Sequence, residues 1–243
     1  MTWDLLEQPP YRLHYAPVYA NDARRIAVMM DQGYPLLLRR LAVRSLSATI
    51  DLFLHPAPTE AARAGTTRCN VTAAQAALAI RIDHLTPGAH DSGERYDDHY
   101  HFRVLMHELA AAVLTYRTRL KQQGWRGDES PAWFRAGYAG YLSLTCSDEH
   151  NQTITLEAYK DLLRADPDRV QATKDGITTL QPYVDGTVLL LYMHEHYGNY
   201  AGLRLLHSPE PTFWAAVDAE FGLTPEQLAE QVQMWLNSPF HEH

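Results

Sequence analysis

His107 and Glu108 stand side by side in the stretch "FRVLMHELAAAV" (102–113). Two histidines four residues apart on a helix share one face and can hold a zinc ion. A glutamate directly after the first then serves as general base towards the metal-bound water. The sequence supplies the first histidine and the glutamate, but Ala111 stands where the second histidine would be. A methyl group has no lone pair, so position 111 offers nothing to a metal.

Further blocks follow in the chain. "SPAWFRAGYAGYLS" (130–143) contains Trp133, Gly137, Ala139 and Tyr141 in the spacing W-x-x-E-G-x-A-x-Y, with Ala136 in place of the glutamate. "YVDGTVLLLYMHEHYG" (183–198) has a Tyr and a Gly ahead of a helical run that ends in Tyr-Gly, and "FWAAVDAEFGLTPEQLAEQVQMWL" (213–236) closes the pattern. In this order the blocks resemble the gluzincin zinc metallopeptidases, the thermolysin-like and peptidase MA-like group. The resemblance runs over roughly residues 11–236.

The resemblance implies an α+β, zincin-like fold: a small N-terminal mixed sheet with a helix, then a mostly helical C-terminal half. It implies one catalytic-type domain over 1–243, with a β-rich lobe over 1–97 and a helical lobe over 98–243. It also assigns roles by position. His107, position 111 and position 136 would be the zinc ligands and are expected to converge on one small cavity. Glu108 would be the general base and Tyr183 the hydroxyl that steadies an oxyanion, both vestigial or repurposed here. Trp133, Gly137, Tyr138 and Tyr141 would line the cleft. With Ala111 and Ala136 at two ligand positions, one imidazole remains, and no metal cofactor is expected although the parent family uses zinc.

Substitute ligands are sparse. "YDDHYHFRVLMHE" offers Asp97, Asp98, His99 and His101 just ahead of His107, but His101 shares a face with Glu108 that lies about 100° round from that of His107. His194 and His196 are two apart in a helical stretch and point in different directions, while His241 and His243 belong to a terminal tail. Bland readings accompany each residue. His107 without zinc is a hydrogen-bonded core histidine, and Glu108 is a partly buried carboxylate or the partner of an arginine such as Arg103 or Arg135. Trp133, Tyr138, Tyr141 and Tyr183 then serve in packing.

These residues depend on elements legible in the pattern. "YRLHYAP" (11–17) and the alternating "SATIDLFLH" (47–55) read as strands, as do 66–73 and 76–83. Residues 21–43 read as a helix capped by Asn21 or Asp22 and kinked or broken at Pro35. A polar loop over 85–98 precedes helices over 98–122, 130–146, 154–164, 182–197, 200–207, 211–220 and 224–236. Ser130-Pro131 marks one start, and Thr224-Pro225-Glu226-Gln227 marks another as a capping box.

Composition narrows the function classes. A chain of 243 residues that is 46% hydrophobic, with five tryptophans, carries enough apolar side chains for a substantial core. The net charge of −8 and the absence of a basic stripe argue against nucleic acid as partner. No apolar run approaches the roughly 18 residues that span a membrane, and the N-terminus lacks the features of a leader. Cys69 and Cys146 form no CxxC pair and suit a reducing compartment, so a cytoplasmic location is expected. The sequence has no GxSxG, P-loop or GxGxxG motif.

The leading expectation is a metal-free pseudopeptidase that binds a peptide or protein in the former cleft. Two alternatives stay open. One is an enzyme on the same scaffold, either with an unorthodox metal site or with metal-independent acid–base chemistry from His107, Glu108 and Tyr183. The other is an engineered inactive form of a peptidase. The sequence leaves the oligomeric state and the ligand's identity open.

Overall fold

Antiparallel strands need only a tight turn between them, whereas parallel neighbours need a crossover, and the first 54 residues use both. Strand β1 (Asp4–Gln8) turns back into β2 (Tyr11–Tyr15), and helix α1 (Ala20–Arg40) carries the chain over to β3 (Ala48–Leu54), parallel to β2. The computed structural model describes residues 2–46, 48–54, 72–74, 77–85, 98–120, 124–125, 130–148, 172–173, 176–177 and 182–237. The chain forms two compact units, Met1–Tyr116 and Arg117–His243.

The first unit holds a five-stranded mixed sheet in the order β1-β2-β3-β5-β4, where β4 is Thr72–Ala74 and β5 is Ala77–Leu85. β5 runs parallel to β3 and antiparallel to β4. Alternation along β2 and β3 buries Tyr11, Leu13, Ile50, Leu52 and Leu54 on one face. The Tyr11 hydroxyl reaches α1, donating to the Ala27 carbonyl at 3.0 Å. The opposite face carries Arg12, which clasps the Asp51 carboxylate with two hydrogen bonds of 2.9 and 2.7 Å. His14 meets the same carboxylate at 2.8 Å and stacks on Phe53. Burial pushes the Asp51 carboxyl up, but the hydrogen bonds and charges of Arg12 and His14 outweigh it, leaving Asp51 below its ordinary pKa.

Helix α1 departs from the sequence expectation at its start, and it is not broken at Pro35. It runs from Ala20 to Arg40 with Pro35 inside it, so proline does not break it. Leu36, Leu37, Leu38 and Leu41, just beyond the proline, are all buried. At roughly 1.5–3 kcal/mol per buried side chain, they outweigh the ~3 kcal/mol that an internal proline costs. The start is not capped by Asn21 or Asp22 either. A 3-10 turn over Pro17–Tyr19 leads directly into the helix, so both residues fall within its first turn. Strand β1 had no counterpart in the sequence reading.

Helix α2 (Asp98–Leu120) completes the first unit and carries the division between the two. Gly33 of α1 lies where a Cβ would come within 2.2 Å of the Met106 Sδ, which marks a close approach of α1 and α2. The expected loop over 85–98 falls outside the described residues except for its two ends, as does the expected helix over 154–164.

Among its described residues the second unit is helical apart from a two-residue ladder of β6 (Ala172–Thr173) and β7 (Gly176–Ile177). Its helices are α3 (Ala132–Asp148), α4 (Pro182–Tyr197), α5 (Ala201–His207), α6 (Phe213–Phe221) and α7 (Pro225–Asn237). The Thr224–Gln227 capping box forms as read: the Thr224 N–H donates to Gln227 Oε1 at 2.8 Å and the Gln227 N–H to Thr224 Oγ1 at 3.2 Å. Helix α6 ends on Gly222 in the left-handed region at φ 68°, a position suited to glycine. Trp125, Trp133, Phe134 and Phe213 form an aromatic core of edge-to-face pairs and one tilted pair, Phe134–Phe213, with the Trp125 indole donating to the Leu205 carbonyl at 3.0 Å.

Candidate functional site

The described side chains of helix α2 are mostly buried, and the exceptions are ordered. Among its described side chains, the half-buried ones before Tyr116 are Arg103, His107, Ala111 and Thr115. These positions follow one another at intervals of four and so share one helical stripe. The half-buried stripe is therefore the one on which a histidine pair at 107 and 111 would lie. Glu108, one position off the stripe, is only 7% exposed.

The His107 Nδ1 and the Glu108 Oε1 are 3.2 Å apart, so neighbouring residues on α2 form an imidazole–carboxylate contact. This is the histidine the sequence singled out, in contact with the glutamate that follows it. The Ala111 carbonyl accepts a hydrogen bond from the Thr115 hydroxyl at 2.8 Å. Position 111 thus presents only a methyl group and helix backbone.

Helix α3 shows a similar economy within the second unit. Of its described side chains, Arg135 and Ala136 are half-buried, and Trp133, Phe134 and residues 137 to 146 are buried. The aligned ligand position, 136, again falls where the helix is partly open. The helix is assigned from Ala132, with the Phe134 N–H donating to the Pro131 carbonyl at 3.0 Å, so the Ser130-Pro131 pair lies just ahead of it.

The expected cleft residues of α3 have neighbours within the unit. Trp133 meets Phe134, Phe213 and Trp214 at centroid distances of 6.0, 5.5 and 6.2 Å. Gly137 faces Gly186 of α4, and the Thr187 hydroxyl donates to the Gly137 carbonyl at 3.4 Å. Tyr138 is 3% exposed and touches the point where Gly202 of α5 comes in. Burial, reinforced by the neighbouring Tyr141, pushes the Tyr138 hydroxyl pKa far above the ordinary tyrosine range. Tyr141 is hydrogen-bonded to the Nδ1 of His194.

That last contact was missed by the sequence reading, which treated His194 only as a poor joint ligand with His196. The two histidines do diverge. His196 Nδ1 contacts the Tyr192 carbonyl at 3.0 Å and its ring stacks on Tyr192, while His194 turns to Tyr141. No local motif could have paired residues 53 positions apart. Tyr183 stands in the first turn of α4, and its side chain lies outside the described residues, as do those of His99 and His101 and all of Asp97, Cys69, His241 and His243. Cys146 is buried.

His107 and Ala111 belong to the first unit and Ala136 to the second. Among the described residues, no group of three or more His, Cys, Asp or Glu could hold a metal ion. Also among them, no helix is long and apolar enough to cross a membrane.

The mixed sheet with its helix, followed by a helical half, defines an α+β, zincin-like fold. Among solved structures it is similar to leukotriene A4 hydrolase from Saccharomyces cerevisiae, with a TM-score of 0.55 and 14% identity over 98% of this chain. The match covers 39% of that protein, so the chain spans about two fifths of its length. At this identity the likeness concerns the fold alone. No family model matches the sequence, and no curated protein matches it.

Proposed function

We propose that this chain is a gluzincin-like domain with a degenerate HExxH site, a pseudopeptidase that binds a peptide or protein rather than cleaving it. The observation that carries the reading is the identity of the half-buried positions. On α2 the open stripe offers His107 and then Ala111; on α3 the half-buried pair includes Ala136. A catalytic zinc requires three protein ligands and an open position for water. One imidazole and two methyl groups do not meet that requirement, so these residues do not fit zinc. A scaffold of this kind that keeps its part-open helical surfaces without the metal retains a means of binding.

In this reading the half-buried His107 and the buried Glu108 contact each other at 3.2 Å, and Trp133, Gly137, Tyr138 and Tyr141 keep the helical unit in shape. Nucleic acid and membrane are not proposed as partners, and the two cysteines, which form no CxxC pair, suit a reducing compartment such as the cytoplasm.

A second reading draws on the 3.2 Å contact between His107 and Glu108. A carboxylate beside an imidazole can hold it in one tautomer, which suits metal-independent proton transfer. Elemental analysis of the purified protein, with titration of a mixed peptide library, separates the readings. A pseudopeptidase contains no stoichiometric zinc and retains peptides unchanged. Equimolar zinc would overturn the proposal, and metal-free turnover of a bound peptide would favour the second reading.

A further inference from the structure

We draw no further inference here: the strongest candidate, the outer face of the N-terminal sheet where Trp3, His14 and Phe53 flank the Arg12–Asp51 ion pair, carries none because nothing in the structure shows what covers it.

Discussion

Gly137 of α3 and Gly186 of α4 meet backbone to backbone: a Cβ built on Gly137 would lie 2.0 Å from the Gly186 carbonyl carbon. A Cβ on Gly186 would lie 2.2 Å from the Trp133 carbonyl oxygen. The obstacles are main chain, so no side chain can rotate aside. Gly137→Ala or Gly186→Ala must force the helices apart, and each is expected to cost about 3 kcal/mol or more, at the upper end of overpacking effects. Urea denaturation would measure this. A variant with an unshifted midpoint would contradict the close crossing.

The Tyr141–His194 hydrogen bond ties the same two helices further along. Tyr141→Phe keeps the ring and removes the hydroxyl, so a loss of about 1–2 kcal/mol is expected. His194→Ala removes the other partner, and the double variant should lose less than the sum of the singles. Strict additivity in that cycle would show that the two residues do not interact.

Asp51 makes stability depend on acid. Its folded pKa lies below the ordinary carboxyl value of about 4. The stabilisation it brings is therefore complete above that ordinary value and is lost as the pH falls through the lower folded value. Asp51→Asn should be less stable than the parent at pH 7, and the gap should narrow at pH 3. Chemical denaturation of both proteins at the two pH values tests this; a gap that widens in acid has the wrong sign.

Restoring the missing donors tests the proposed kinship. If the proposed gluzincin kinship holds, Ala111→His with Ala136→Glu should take up roughly equimolar zinc, while each single variant binds far less, having too few ligands. On the proposed metal-free reading, chelator should leave the parent's melting temperature unchanged and should lower that of the loaded double variant. A folded double variant that takes up no zinc would show that the ligand positions no longer share a gluzincin geometry.

Much of the fold was legible before any coordinates. Helix α4 falls on the expected 182–197, and the Thr224–Gln227 box forms because its signals are local: a capping hydroxyl, a proline and a glutamine at fixed offsets. β3 follows from the alternation over 47–55, within a residue at each end. What failed was decided at longer range. The "DLLEQ" of β1 has no strand pattern of its own and becomes a strand by pairing with β2. Pro35 stays inside α1 because the leucines around it are buried, a tertiary gain that local propensity does not contain.

At the site the division is the same. That positions 111 and 136 cannot ligate a metal is fixed by sequence, since donor atoms belong to residue type and no fold adds a lone pair to a methyl group. Tertiary structure decided exposure and partnership. It left Arg103, His107, Ala111 and Thr115 half-buried along one stripe of a buried helix, set Glu108 against His107, and brought His194 to Tyr141. Those outcomes depend on which helical faces the rest of the chain covers, and that is a property of packing between residues far apart in sequence.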